Sequence, residues 1–227
     1  TDTVNVLIYG TNKIGKSSLA AEAPSPIFFD VEDGTEELDV KRIPRPEKWT
    51  WKYLLEGIDF LHTKDHPFKT AVFDTVDWIE PLIFAEQCRL KPQHADGKKV
   101  IEIRTIDDFP YFAGYTMVLD LWRDLFSKLE RLRRDRKMNI ILLAHSVIRL
   151  VENPMGPNYE QWDLKVNKHA AGVLREWTSA VLFATYELAG VTKDDPSNKR
   201  LKGKGLGEGR RVLLTEERPS YRAGNRY

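Results

Sequence analysis

Short unbroken apolar runs recur along this chain, alternating with longer stretches in which apolar residues return every three or four positions. Residues 4–9 (Val-Asn-Val-Leu-Ile-Tyr), 26–30 (Pro-Ile-Phe-Phe-Asp), 69–74 (Lys-Thr-Ala-Val-Phe-Asp) and 139–144 (Asn-Ile-Ile-Leu-Leu-Ala) read as strands buried on both faces. A further short strand is expected near 40–43. Helical spacing predicts helices over 17–23, halted at Pro24, and over 47–61, where Trp51, Leu54, Leu55 and Ile58 share a face. Two more are predicted over 76–90 and 111–136. In the latter, Val118, Leu121, Trp122, Leu125, Leu129 and Leu132 form a stripe. Strands alternating with crossover helices imply a mostly parallel sheet with helices on both faces.

The last third of the chain changes character. Residues 91–108 and 147–167 read as irregular, the latter with a turn at 153–157, while 168–177 looks helical. Residues 179–188 and 211–216 look like strands of an antiparallel hairpin. The segment joining them, 189–210, holds Gly203, Gly205, Gly207 and Gly209 at alternate positions and cannot be regular core structure.

The 227 residues suit one well-buried domain. A net charge of +1 excludes a uniformly basic surface, so any nucleic-acid contact must be local. The single cysteine, Cys88, excludes an internal disulfide framework and fits a reducing compartment. No stretch approaches the roughly 20 apolar residues of a membrane span, and the polar start lacks a signal-peptide pattern, so a cytoplasmic protein without membrane association is expected.

Between the first strand and first helix stands Gly10-Thr11-Asn12-Lys13-Ile14-Gly15-Lys16-Ser17, followed by Ser18, which matches the phosphate-binding pattern G-x-x-x-x-G-K-[ST]. A loop in this position points successive N–H groups at one spot, and the helix N-terminus adds partial positive charge. Lys16 would reach the β- and γ-phosphates of ATP, and Ser17 would ligate Mg²⁺. Without a ligand, the Lys16 side chain is expected to be solvated. A second Mg²⁺ ligand at the end of a nearby apolar strand is expected, and Asp74 qualifies, although it also reads as a helix cap. For the carboxylate that orients water, Glu32, in the acidic turn just past the second strand, competes with Asp30 and Asp33. His145 follows the strand 139–144 directly, where it reads either as a γ-phosphate contact or as a strand-end histidine bonded to backbone.

Other clusters carry less. His62 and His66 have a chelating spacing, but Pro67 follows and no third ligand is evident, so a solvated helix end is expected. The basic run 131–137 suits a helix C-terminus. Lys199, Arg200, Lys202 and Lys204, in the glycine-rich segment, read equally as a track for a nucleic-acid backbone or as a soluble connection.

Taken together, the residues at 10–17, Phe-Phe-Asp-Val-Glu at 28–32, Ala-Val-Phe-Asp at 71–74, Leu-Leu-Ala-His-Ser at 142–146 and the closing Ala-Gly-Asn-Arg-Tyr resemble RecA-like P-loop ATPases. More closely, they resemble phage nucleotide-binding proteins that include single-strand-annealing proteins. The resemblance spans nearly the whole chain. It implies a single RecA-like ATPase domain over 1–227, with 189–210 a flexible basic loop, and a phage protein acting in the bacterial cytoplasm. It further implies ATP and Mg²⁺ as ligands, single-stranded DNA and phage recombination or replication proteins as partners, and homo-oligomers. By the same resemblance Glu32 is the catalytic base, and His145 senses the γ-phosphate where RecA itself has Gln. Oligomeric relatives supply a Lys-x-Arg pair in trans; here Gly224 stands at the lysine position, leaving Arg226 alone. An ATP-bound scaffold with little turnover and a small-molecule kinase are the alternative functions. The chain ends abruptly at Tyr227, so a longer natural C-terminus is expected.

Overall fold

In the computed structural model, which describes residues 3–96, 99–187, 190–192, 204–206 and 209–226, the apolar runs become adjacent strands. The chain opens with β1 (Asn5–Gly10), α1 (Lys16–Ala21), β2 (Pro26–Asp30) and the two-residue β3 (Lys41–Arg42). Next come α2 (Trp51–Thr63), β4 (Thr70–Asp74), α3 (Val76–Leu90) and a small antiparallel hairpin of β5 (Gln93–Asp96) and β6 (Lys99–Glu102). The central part is α4 (Gly114–Met117), α5 (Leu119–Asp135), β7 (Asn139–Val151), β8 (Tyr159–Leu164) and α6 (Lys168–Trp177). It closes with β9 (Ala180–Tyr186), β10 (Gly190–Thr192), β11 (Lys204–Leu206), β12 (Arg211–Leu214) and β13 (Gly224–Asn225).

The main sheet runs β12-β9-β1-β7-β4-β2-β3, and every neighbouring pair from β9 to β3 is parallel. β1 therefore lies between β9 and β7, and β7 separates it from β4. This is an α/β fold with a mostly parallel sheet, and its antiparallel C-terminal extension is β12 and β13, both laid against β9.

Because both faces are covered, consecutive residues go into different cores. Phe29, Phe73 and Leu142 join one cluster, and Phe28, Val72 and Leu143 the other. The coverage is uneven. The larger cluster draws on α2, α3, α5 and α6 through Leu54, Ile79, Trp122 and Leu174, whereas on the other face α1 contributes Ala20. Phe29 and Phe73 stack at 4.4 Å between ring centres, which locks β2 to β4 just below their acidic ends.

Three expectations are corrected. The region 91–108 is not simply a loop, since it folds back as β5–β6. The long helix begins later than 111: Pro110 follows extended Phe109, and Tyr111 and Phe112 take positive φ (53° and 57°), so regular helix starts only at Gly114 and pauses again at Val118. The region 147–167 is not irregular either. β7 continues to Val151 and pairs with β8 from Ser146↔Leu164 to Val151↔Tyr159. Its turn is held by the Asn153 side chain, which accepts from Met155 N–H, and by Asn158, which accepts from Asn153 N–H. Past Ala144 the strand leaves the core, so its alternating half-exposed pattern lacks the unbroken apolar signature of 139–144.

Candidate functional site

All parallel strands end at one edge, and the sequence motifs converge there. The glycine at the end of β1 is required by packing: a Cβ on Gly10 would collide with the Ala184 carbonyl of β9. Gly15 caps α1 at φ 99°, a left-handed conformation that favours glycine. Between them the loop manages without further glycine because Ile14 is buried in the core on the α1 side and Lys13 accepts a positive φ of 62°.

Lys16 is not solvated as expected. It is 6% exposed, and its Nζ donates to the carbonyls of Gly10 (3.3 Å) and Thr11 (3.0 Å). Burial lowers its pKa, while the negative charges of Asp74, Glu32 and Asp77 oppose that shift. Ser17 Oγ donates to Asp74 Oδ2 at 2.6 Å. Asp74 is buried, which pushes its carboxyl up to about 6 against the lowering effect of the Ser17 bond. The capping alternative for Asp74 is not what the geometry has, since Thr75 is the N-cap of α3 and Asp74 turns to Ser17.

The three acidic residues at the end of β2 part ways. Asp30 is buried and accepts from Gly34 N–H (3.0 Å), Thr35 N–H (3.2 Å) and Thr35 Oγ1 (2.5 Å), so it fastens the turn. Asp33 pairs with Arg45. Glu32 lines the cavity, as Asp33 does, but its carboxylate faces His145 rather than an arginine. Its backbone N–H bonds to the Asp74 carbonyl (3.1 Å), which sets it over the end of β4, and Thr75 Oγ1 donates to its Oε2 at 3.3 Å.

His145 stands opposite. Its Nε2 lies 3.5 Å from Glu32 Oε1, and both its backbone N–H (2.9 Å) and its Nδ1 (2.8 Å) bond to Asp77. Burial would raise the Asp77 carboxyl, yet the bonds from His145 outweigh it and hold the pKa below the usual range. With Nδ1 committed to Asp77, Nε2 is the ring atom turned to Glu32 and the cavity. The pattern along the chain did not reveal Asp77. Its only local signal is its position in the first turn of α3, three residues after Asp74.

Lys16, Ser17, Glu32, Asp74 and His145 line one cavity of about 580 Å³, together with Asn12, Lys13, Ser18 and a residue from the far end of the chain, Arg211. Arg226 is not among them. It follows β13, which pairs with Val181 and Ala180 near the start of β9, and its guanidinium donates to the Glu176 carbonyl at 2.5 Å; the cavity lies instead at the other end of the strands. Lys199, Arg200 and Lys202 lie outside the described residues, and Lys204 begins β11. His62 contacts Asp135 (2.9 Å) and His66 the Leu61 carbonyl (2.8 Å), so the two rings serve separate partners. No helix among the described residues is long and apolar enough to cross a membrane.

The sequence model of a family described as AAA domain matches residues 2–227. The crystal structure of the RadB recombinase superposes with a TM-score of 0.45 at 13% identity, covering 81% of this chain and 75% of that one. No curated protein matches in sequence.

Proposed function

We propose that this chain, which belongs to the AAA domain family, is an ATPase that binds ATP·Mg²⁺ at the 10–17 loop and couples its hydrolysis to single-stranded DNA in phage recombination, annealing or replication. The observation that carries the nucleotide part is the convergence of Lys16, Ser17, Asp74, Glu32 and His145 on one cavity. The donor set fits a magnesium ion: a hydroxyl and a carboxylate already 2.6 Å apart, both oxygen ligands, beside an amide-lined loop. Ser17 and Asp74 would hold that ion. Its chemistry would be to offset charge on the phosphate oxygens.

The remaining work falls to the chain itself. The loop amides and Lys16 bind the phosphates, with Lys16 exchanging its two carbonyl partners for phosphate oxygens. Glu32 takes a proton from water as the water oxygen attacks the γ-phosphorus; the bond to the β-phosphate oxygen breaks, leaving ADP and phosphate. His145, braced by Asp77, contacts the γ-phosphate through Nε2, and loss of that phosphate frees the strand end leading into the β7–β8 hairpin. Lys199, Arg200, Lys202 and Lys204 track the DNA backbone, and Arg226 reaches the site of a neighbouring subunit in a homo-oligomer.

Phosphate release measured with and without single-stranded DNA tests this. Turnover stimulated by DNA, and loss of ATP binding or hydrolysis in a folded Lys16→Ala variant, are expected. Wild-type ATP affinity in that variant would sink the site, and turnover indifferent to DNA would sink the coupling.

A further inference from the structure

We propose that Arg211 is a ligand for the phosphate chain of the bound nucleotide, supplied by the same chain that supplies the loop. The inference rests on the nucleotide reading of the 10–17 loop and adds a second cation to it.

Strand register brings Arg211 to this position. β12 runs antiparallel on β9 with Leu213 opposite Ala184 and Arg211 opposite Tyr186, while Ala184 is level with Gly10 on β1. Arg211 thus stands two residues beyond the level of Gly10, over the edge where the loop begins. Its side chain leans onto the loop: Nη1 lies 2.8 Å, and Cζ 3.7 Å, from where a Cβ on Gly15 would sit. The guanidinium therefore fills the space that a side chain at the left-handed turn would occupy, inside the cavity shared by Lys16 and Ser17.

Charge gives this position a purpose. Glu32, Asp33, Glu36, Glu37 and Asp74 line the cavity against Lys13, Lys16 and Arg211. A polyphosphate entering such an acidic site needs every cation near the loop. Neighbouring arginines are engaged, Arg210 with Glu187, Arg218 with Glu216 and Arg222 with Glu217. The Arg211 side chain has no hydrogen-bond or ion-pair partner among the described residues, and a planar fork of donors suits phosphate oxygens. Because β12 is the strand by which the chain returns from the glycine-rich basic segment, a guanidinium held by phosphate also anchors the exit of that segment to the nucleotide.

The test compares wild type, Arg211→Ala and Arg211→Lys for displacement of a fluorescent ATP analogue by ATP and by inorganic tripolyphosphate, a probe without base or ribose. Since Arg211 is exposed and unpaired, the unligated melting temperature of Arg211→Ala should equal that of wild type. Expected is a loss of ~10-fold or more in affinity for both competitors in Arg211→Ala, with a smaller loss in Arg211→Lys, the scale of one charge-assisted contact. Unchanged affinity for both, or weakened ATP with unchanged tripolyphosphate, would overturn the assignment, the second by moving Arg211 to the base or ribose. A folded wild type that binds neither would overturn the nucleotide reading itself, a result distinct from tight binding shared by all three proteins.

Discussion

Three carboxylates stand within four residues at the end of β2, and exchanging each for its amide should separate a catalytic role from a structural one. Glu32 makes only loose contacts, 3.3 Å to Thr75 and 3.5 Å to His145, and its side chain is 27% exposed. Glu32→Gln should therefore cost no more than about 0.5 kcal/mol of stability, the usual range for a surface substitution. It should leave ATP affinity near wild type, because the amide keeps the shape of the group. Turnover should fall ~10²-fold or more, since an amide cannot accept the proton; that corresponds to about 2.7 kcal/mol on the barrier. Asp30→Asn should do the reverse. Asp30 is buried and accepts three hydrogen bonds beside Arg42, so replacing one acceptor oxygen by a donor group disrupts the turn and should cost ~2–3 kcal/mol. Urea unfolding, calorimetric ATP affinity and steady-state phosphate release on the same samples give the three readouts. Full turnover in Glu32→Gln, or lost turnover with intact stability in Asp30→Asn, would refute the assignment and move the base to another carboxylate.

Burial raises the Glu80 carboxyl to about 7, even though both its oxygens accept from Asn167 N–H. The folded state then binds more protons than the unfolded one between the ordinary value of 4.5 and about 7, so this group's contribution to stability is full below that window and is lost as pH rises through it. Glu80→Gln should remove that decline, and parallel stability profiles for the two proteins across pH 4.5 to 7 would contradict it. Neutralising Lys199, Arg200, Lys202 and Lys204 should weaken single-stranded DNA binding at every sequence and flatten the slope of log affinity against log salt by about 0.7 per lost contact. An unchanged slope in titrations at several salt concentrations would make the segment a mere connector. If Arg226 serves a neighbouring subunit, hydrolysis should rise more than linearly with protein concentration. Mixing Arg226→Ala with Glu32→Gln subunits should then restore part of the activity, because one interface in the mixture holds an intact half from each; linear activity without rescue would exclude the shared site.

Much of this protein is legible along the chain because its signals are local. Residues buried on both faces of a parallel strand must be apolar without interruption, so β1, β2, β4 and the first half of β7 announce themselves. The loop at 10–17 is likewise a contiguous run whose glycines answer a steric demand. The second half of β7 was not legible, since outside the core its residues have no reason to be uniformly apolar, and its partner β8 offers few apolar residues, Leu164 and Trp162 among them, to the core. The start of the long helix was obscured because an apolar stripe says nothing of the left-handed turn at Tyr111 and Phe112.

At the site, sequence narrowed the candidates and tertiary structure chose among them. Glu32, Asp30 and Asp33 are equivalent in composition and nearly so in position; they differ because Gly34, Thr35 and Arg45 occupy two of them. Asp77 acquires its role from a histidine 68 residues away, and Arg211 reaches Gly15 only because β12 and β1 flank the same strand. Side-chain chemistry is written residue by residue, but which side chains share a cavity depends on strand register and crossover. Those are set by burying both faces of the sheet at once, a condition that no single stretch of the chain can express.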